Sequence, residues 1–507
     1  MIATVAARRS AGDWRGVCAA GGVDAHIDLR DVAARYGRDE AARIEADLIG
    51  FAPDLLRRYL PRMDNLALVP QLPVVLSRRA TPVRMAPAGR GTPVLVATLP
   101  HTERARQRLA LRVEDVGTLQ RGWYDLPDWC WHADAVTARR WACGVAPDRL
   151  AWHTADGRPY PPGTPFPPGP PVDRAAEVET IAGRLGVGHL VPAYEAAGFA
   201  VDLTDPPRWW SMWPVELLLG RYAATLPVLA AEVRRLAHRY GATTLASIDG
   251  TLTVDVAPDG GLTVRRAPRE YGRVGPYAFG LPAPADVALL RHGRLHPDEL
   301  HPLVHAALLP DRVQSWRAPT PAARRQIRIR CGPDWHLVEV SGGRIRTPHH
   351  SAEELHREFL LAGLGGPVAG CAAAVRAWRT GATPVPKEIR RIRRDIFALA
   401  LHGDTDGLLA VLSEGRDAGL RDGRGGTLLH WVSHVDHTRV LPVLLAAGLS
   451  LVDRDRDGGT PLHAAAATIA VEVMTALVEA GADPEAVDGA GRTPAEVLAR
   501  ARRAATR

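Results

Sequence analysis

The sequence contains very little lysine and asparagine, and this scarcity affects how its net positive charge is interpreted. Lys387 is the only lysine and Asn65 the only asparagine among 507 residues, so almost every cation behind the net charge of +7 is an arginine. Lysine and asparagine have AT-rich codons, whereas arginine, alanine, glycine and proline have GC-rich ones. A GC-rich bacterial genome therefore explains the arginines as well as a nucleic-acid ligand does, and we do not predict nucleic-acid binding.

Cysteines and long apolar runs are also scarce. The five cysteines are scattered, odd in number and without a framework spacing, which indicates reduced thiols rather than a disulfide scaffold. The first residues lack the apolar stretch of a secretory signal. The longest apolar run near the C-terminus, 440–452, is too short to span a bilayer. These absences predict a cytoplasmic protein without a membrane partner.

What is present predicts a multidomain globular chain. A length of 507 residues exceeds what one hydrophobic core organises, and 46% apolar with 23% charged residues is ordinary for folded protein. Wholesale disorder is therefore excluded.

A helix-opening motif returns every 33 residues near the C-terminus. The tetrapeptide TLLH at 427–430 recurs as TPLH at 460–463 and as TPAE at 493–496. Two further sets keep the same step, namely Gly415, Gly448 and Gly481, and Asp422, Asp455 and Asp488. Several independent positions in one phase indicate a structural repeat.

Each repeated residue type has a mechanical reason. Thr460 is suited to cap a first helix, and Pro461 fits the opening turn, where a missing N–H costs little. His463 can bridge backbone groups of adjacent repeats. Gly448 and Gly481 are placed to end a second helix in the left-handed conformation. The equivalent positions in the neighbouring units are Thr427, His430 and Thr493.

On these residues the segment 384–507 resembles the ankyrin-repeat family, whose units are helix–turn–helix pairs with a projecting hairpin. The best unit, 459–488, fits the family pattern almost throughout, whereas the preceding one has Leu428 where proline is usual. The first unit lacks the helix-opening motif and is typical of an N-terminal cap. The resemblance, which extends to actinobacterial proteins with long N-terminal regions, implies an all-α ankyrin-repeat solenoid that binds another protein.

The resemblance also implies where a partner binds. Ankyrin stacks bind through hairpin tips and variable first-helix positions, which here are Trp431, His434, Arg421, Arg424, Arg454 and Arg456. The alternative is that Trp431 packs against the preceding region and that the arginines solvate loops. Because so few repeats are marginally stable alone, we expect them to dock on preceding residues through a helix near 386–399.

The residues before the repeats predict an α+β region of helices, β-hairpins and meanders. We divide it into a helical segment (1–62), a mixed β/α Trp-rich region (63–158), a Pro-rich linker (159–172) and an α+β region (173–383). Within the last, 251–267 predicts a hairpin and 326–347 a three-stranded meander. Ser351 and Glu354 then form a capping box that starts a helix.

Three clusters of residues could support chemistry, and each has a simpler structural interpretation. Cys130, His132, Cys143 and His153 are metal-capable, but they lack the spacing of a zinc knuckle, so buried core residues are favoured. In 292–305, His301 and His305 lie four apart beside Glu299, yet two prolines interrupt the pattern. His349 and His350, with Asp334 and His336 in the meander, could act as a general base or simply pack at a helix start.

We therefore predict no catalytic residue, no metal and no cofactor. The predicted function is that of an intracellular scaffold or adaptor that recruits a protein partner through its C-terminal ankyrin repeats. The alternative is an enzyme or toxin-like effector with its activity in residues 63–383, targeted by the repeats. The sequence leaves the oligomeric state open.

Overall fold

The computed structural model describes two compact units. Its described residues are 2–62, 67–79, 81–86, 91–100, 106–119, 122–161, 164, 170–186, 188–204, 214–247, 249–267, 276–279, 284–315, 325–341, 344–366, 368–380, 387–414 and 419–505. Unit 1 comprises Met1–Pro61, Val69–Leu99 and Arg108–Ala318, and unit 2 comprises Arg62–Leu68, Pro100–Gln107 and Pro319–Arg507. The predicted Gly415 and part of the Pro-rich linker lie outside the described residues.

Unit 1 mixes short helices with short strands. In chain order its elements are α1 (Ile2–Ser10), α2 (Trp14–Ala20), β1 (Val23–Ala25), α3 (Leu29–Tyr36), α4 (Arg38–Ile49), α5 (Pro53–Tyr59), β2 (Pro73–Leu76), β3 (Pro93–Thr98), β4 (Leu109–Asp115), β5 (Tyr124–Leu126), α6 (Val136–Ala142), α7 (Arg174–Gly186), α8 (Leu190–Ala196), β6 (Phe199–Val201), α9 (Val215–Tyr222), α10 (Leu226–Tyr240), β7 (Thr244–Ser247), β8 (Leu252–Val256), β9 (Leu262–Arg266), β10 (Tyr277–Phe279), α11 (Asp286–Arg291) and α12 (Pro302–Leu308). The predicted mixture of helices and strands is confirmed for this region.

The strands of unit 1 form two five-stranded mixed sheets, ordered β1-β4-β3-β2-β5 and β10-β7-β8-β9-β6. The central strands are antiparallel, and β8–β9 is the hairpin predicted at 251–267. The outer strands add in parallel, as in β1 with β4 and β6 with β9. These parallel pairs join residues far apart in sequence, so local turn signals could not predict them.

A buried ion cluster holds β5 to α10 in unit 1. The Asp125 carboxylate accepts hydrogen bonds from Arg235 at 2.9 Å, from Arg239 at 2.7 Å and from the Tyr240 hydroxyl at 2.6 Å. Burial alone raises the pKa of Asp125, but Arg235 and Arg239 outweigh it and lower that pKa below its usual value. The removal of both arginines would leave an uncompensated buried carboxylate.

Unit 2 starts with a sheet and continues with helices. In chain order its elements are β11 (Arg325–Cys331), β12 (Asp334–Ser341), β13 (Arg344–Arg346), α13 (Ala352–Gly363), α14 (Gly370–Thr380), α15 (Lys387–Leu401), α16 (Thr405–Glu414), a 3-10 helix (Leu428–His434), α17 (His437–Ala446), α18 (Pro461–Ala467), α19 (Val471–Glu479) and α20 (Pro494–Ala505). The predicted meander is the antiparallel sheet β11–β12–β13, and both halves of the Ser351–Glu354 capping box are formed. Where Leu428 replaces proline, the repeat opens with a 3-10 rather than an α-helix.

One continuous hydrophobic core runs through unit 2. It begins on the sheet, where alternation buries the face of β11 and β12 that carries Ile329 and Val338. It passes through Trp378 of α14 and Phe397 of α15 and ends in the repeats at Ala482. The sheet, the two helices and the repeats therefore share one stabilising interior.

Helix α15 connects the preceding residues to the first repeat. Its apolar residues recur at helical spacing, so Ile396, Phe397 and Ala400 form one buried face. The buried Arg393 adds a hydrogen bond, since its Nη1 donates to the Ala377 carbonyl of α14 at 2.8 Å. This helix lies where the sequence predicts the docking helix.

No helix among the described residues combines the length and the apolar character that crossing a membrane would require.

The shared core of unit 2 predicts that damage in α14 reaches the repeats. Trp378 is fully buried, so we expect Trp378→Ala in the full chain to cost about 3–5 kcal/mol. Amide hydrogen exchange should then accelerate in residues 396–488. Trp335→Ala is the matched control, because Trp335 lies on the opposite sheet face with 61% of its surface exposed. Unchanged exchange in the repeats of the Trp378 variant would contradict a shared core.

Candidate functional site

Two histidines connect neighbouring repeats through their two ring nitrogens. His430 Nδ1 accepts the N–H of Thr427 at 3.0 Å, and its Nε2 lies 3.2 Å from the Gly459 carbonyl. His463 repeats the arrangement with Thr460 at 3.2 Å and Arg492 O at 2.9 Å. A ring that accepts at Nδ1 and faces a carbonyl at Nε2 is a neutral imidazole protonated at Nε2. Each histidine therefore fixes the spacing between one repeat and the next.

Three aspartates shape the hairpin tips in the same way. Each carboxylate accepts from the backbone N–H groups two and four residues later, at 2.7–3.0 Å. The three are Asp422, Asp455 and Asp488. These bonds place each carboxylate among N–H donors, so the tips carry less effective negative charge than their sequence implies.

Two of the predicted tip residues join adjacent hairpins. The Nη1 of Arg421 donates to Gly425 O at 2.7 Å and to Arg454 O at 3.3 Å. Arg454, one repeat later, donates likewise to Gly458 O at 2.7 Å and to Val487 O at 2.5 Å. Both guanidinium groups are thus engaged within the repeats. A partner-binding role for them stays a prediction.

The other predicted repeat positions occupy the places that helix ends require. Gly448 and Gly481 have φ of +86° and +103°, in the region that favours glycine. Pro461 is the first residue of α18. Thr493 donates its N–H to the Glu496 carboxylate at 2.9 Å at the start of α20.

A groove of about 790 Å³ lies along the first halves of the repeats, with α15 on one side. Arg390, Arg391 and Arg394 of α15 line it, together with the predicted residues Trp431, His434 and Arg424. The small side chains of α18 at Ala464 and Ala467 form part of its wall. We refer to this feature as the α15 groove.

Trp431 is fixed in the α15 groove by a polar and an aromatic contact. Its Nε1 donates to Asp422 Oδ2 at 2.9 Å, and its ring lies 6.0 Å from that of Phe397 and 5.2 Å from that of His434. The side chain remains half-buried, so part of the indole faces the groove. Trp431 therefore packs on α15 and lines the groove, and its role in binding a partner stays a prediction.

The positive charge of the α15 groove comes mainly from one helix. The exposed Arg390 and Arg394 are four residues apart and Arg391 and Arg394 three apart, which places like charges on neighbouring turns. On the opposite wall Arg424 Nη1 lies 3.6 Å from Asp457 Oδ2. Arg456 is exposed at the same hairpin. Arginines therefore predominate on α15, and aspartates on the facing repeats.

The residues of the first candidate metal cluster are buried but do not form a group of converging donor atoms. Cys130, His132, Cys143 and His153 are all at most 7% exposed. They are absent from the described groups of donor atoms that converge closely enough to hold an ion. Burial raises the pKa of the Cys143 thiol to about 12, which keeps it protonated. The structure therefore describes them as core residues.

The second cluster is also structural. His301 caps α12 by accepting the Leu303 N–H at 3.2 Å, and its Nε2 lies 3.0 Å from the buried Asp54 carboxylate. His305 is buried in the same helix. Burial lowers the pKa of His305. The contact of His301 with Asp54 joins the start of α12 to α5.

The third cluster gains two members that the sequence did not indicate. His336 and His350 meet Cys331 and Cys371, and one donor atom from each of the four lies within 4.8 Å of the others. The two cysteines come from different elements and from no recognisable motif, so only the packing of α14 on the sheet could reveal them. Asp334 is exposed at the adjacent turn.

Comparison with known proteins supports the repeats alone. Residues 396–488 match the family model for ankyrin repeats in three copies. No curated protein matches the chain. Ankyrin repeats are in general protein-interaction modules, which agrees with the concave groove described above. The predicted actinobacterial origin of the protein and the domain boundaries at 62, 158, 172 and 383 stay predictions.

The environment of His434 predicts acid sensitivity. Burial, with a smaller contribution from Arg106, lowers its pKa from 6.5 to about 4. The unfolded chain therefore takes up a proton near pH 6.5 and the folded chain only near pH 4, so stability is full above pH 6.5 and declines below it. We expect a loss of about 1–2 kcal/mol between pH 7 and 5.

Urea unfolding at both pH values measures this loss. In His434→Gln the loss between pH 7 and 5 should be smaller, because His434 no longer titrates, whereas other histidines with a lowered pKa, such as His305, titrate in both proteins. The pH difference within each protein is compared, so a general destabilisation by the substitution does not affect the result. An identical pH difference in both proteins would contradict the assignment.

Proposed function

We propose that this chain is a cytoplasmic interaction protein, of scaffold or adaptor type, that holds a segment of another protein in the α15 groove. The observation that supports it most is the position of Trp431, which is fixed by Asp422 yet half-exposed in a concave surface. A pre-oriented aromatic side chain loses little conformational entropy on binding and is a typical interface anchor. A groove of about 790 Å³ accommodates several side chains of a partner.

The partner segment should be acidic and carry an apolar residue. Arg390 and Arg391 are exposed on the wall of the groove, whereas Asp422 and Asp455 of the opposite tips already accept backbone hydrogen bonds and Asp457 lies beside Arg424. Carboxylates of the partner would lie along α15, where bidentate arginine pairing gives orientation. Its apolar residue would contact the Trp431 ring.

The alternative of an enzyme or toxin-like effector in residues 63–383 stays a prediction. The strongest charged cluster there is Asp125 with its arginines, and its members neutralise one another inside the core of unit 1. Such a cluster organises a fold and does not by itself indicate a reaction.

Loss of the indole should weaken partner binding. A partner recovered with the full chain from host cytoplasm, then purified, should bind Trp431→Ala about 30-fold more weakly, which corresponds to about 2 kcal/mol for an interface anchor. Titration calorimetry measures the dissociation constant. Trp335→Ala is the matched control, since it removes an exposed tryptophan from the sheet and leaves the groove intact. Equal affinities for both variants would contradict the proposal that the partner binds in the α15 groove.

Charge reversal on α15 should change the rate and salt dependence of binding. In Arg390→Glu/Arg391→Glu the association rate should fall by at least about 10-fold at low salt, and the difference should shrink as salt screens the charges. The matched control is Arg328→Glu/Arg330→Glu, which reverses two exposed charges on the outer face of β11. Stopped-flow or biosensor kinetics over a range of salt concentrations distinguishes the two. Equal effects would indicate general electrostatic steering, contrary to an acidic segment in this groove.

A further inference from the structure

Four side chains that are far apart in sequence converge at one end of the sheet in unit 2. Cys331 is the last residue of β11, His336 lies on β12, His350 directly precedes the Ser351 cap of α13, and Cys371 is the second residue of α14. Each offers one donor atom, and these atoms all lie within 4.8 Å of one another. We call this set the Cys2His2 cluster.

Local structure explains how the first two residues meet. Cys331 pairs with Asp334 across a two-residue turn made by Gly332 and Pro333. Gly332 has φ of +64°, and proline fixes φ near −65°, so the turn has the type II′ pattern with glycine first. With a side-chain period of two, Cys331 and His336 then project to the same face of the hairpin.

The packing of α14 on the sheet brings Cys371 close to Cys331 and His336. The face that carries Cys331 and His336 is the buried one, and α14 covers it with Cys371, Ala374 and Trp378. At the start of α14, Gly370 allows this approach, since a Cβ there would lie 2.6 Å from Cys331 Sγ. The close contact of α14 with the end of β11 thus depends on a glycine at this position.

Three separations in the cluster are close to those of a tetrahedral zinc site. Cys331 Sγ lies 3.4 Å from His350 Nε2, His350 Nε2 lies 2.9 Å from His336 Nδ1, and His336 Nδ1 lies 3.8 Å from Cys371 Sγ. With Zn–S near 2.3 Å and Zn–N near 2.05 Å, tetrahedral ligands are about 3.3–3.8 Å apart. Since every donor separation is within 4.8 Å, shifts of up to about 1 Å would admit the ion.

The surroundings supply an orienting group for one ligand. His350 presents Nε2 to the cluster, and its other nitrogen, Nδ1, lies 3.8 Å from Glu354 Oε2. The same oxygen accepts the Ser351 N–H at 2.9 Å, so the capping box of α13 holds the carboxylate in place. Carboxylates next to the outer nitrogen of a ligating histidine are a common feature of zinc sites.

From this geometry we infer that Cys331, His336, His350 and Cys371 bind one zinc ion. Two sulfur and two nitrogen donors suit zinc and exclude Mg²⁺ or Ca²⁺, which require oxygen ligands. Four protein ligands complete a tetrahedron, which assigns the ion a structural role and leaves no position for substrate. The zinc would join the hairpin β11–β12 to the starts of α13 and α14.

The inference is independent of the partner proposed above and replaces the sequence-based expectation of no metal. Zinc binding would also affect the repeats, because α14 contributes Trp378 to the hydrophobic core that continues into α15 and the repeats. An ion that fixes α14 on the sheet stabilises that interior. Metal binding by the folded state alone raises stability by mass action.

Metal analysis of the full chain tests the site. The reduced protein, freed of metal and reloaded with excess zinc before desalting, should retain about one zinc per chain. Cys331→Ser and His350→Ala should each weaken zinc binding by more than about 100-fold, because even the loss of an outer-shell partner costs 10–100-fold. His349→Ala is the matched control, as its ring stacks on His336 at 4.9 Å but lies outside the four donors.

Cobalt substitution of the wild-type chain gives a readout that does not depend on variants folding. Co²⁺ should produce the intense visible bands of a tetrahedral ion and a thiolate charge-transfer band in the near ultraviolet, both absent in Cys331→Ser/Cys371→Ser. A zinc content no higher in wild type than in the double variant, or an octahedral cobalt spectrum, overturns the inference. So does a Cys331–Cys371 disulfide in the freshly isolated protein that persists with zinc present.

Discussion

The organisation of unit 2 depends on one constraint. A short row of repeats can bury the apolar faces at its ends only against residues outside the repeats. Each ankyrin unit contacts its neighbours, and the family model finds three copies here. The matched segment begins within α15, whose Ile396 and Phe397 lie in the same core as Trp378 and the sheet. The preceding residues therefore stabilise the repeats. In a longer stack, additional repeat units would have this role.

The same constraint creates the α15 groove. Helix α15 turns its apolar residues toward the core, and helical geometry places Arg390, Arg391 and Arg394 beside that buried face, where they line the groove together with Phe397. The Thr–His bonds hold successive repeats at a fixed spacing, so the wall that faces these arginines is rigid. Packing and recognition are in this way two faces of one helix.

The sequence predicted what is local or repeated. The step of 33 residues identified the helix starts, the helix-ending glycines and the hairpin aspartates, because each repeat meets the same neighbours in the same way. The hairpin at 251–267 and the Ser351 capping box were predictable from turn and cap chemistry. The parallel strand pairs of unit 1 were not, since they join segments that only tertiary packing brings together. The roles of Arg421 and Arg454 as connections between tips also required coordinates, because a tip arginine has the same sequence signature whether it binds a partner or a neighbouring carbonyl.

The Cys2His2 cluster shows most clearly why sequence spacing can mislead about chemistry. Cys130, His132, Cys143 and His153 are close in sequence and buried, yet they are not among the described groups of donor atoms that converge closely enough to hold an ion. Cys331 and Cys371 are distant in sequence, yet a two-residue turn, the alternation of a strand and a close helix approach at Gly370 bring them together. Convergence was decided by the direction of each side chain and by the packing of α14 on the sheet. Because that packing also carries the core into α15, the donors of the cluster and the walls of the groove depend on the same helix-on-sheet contact.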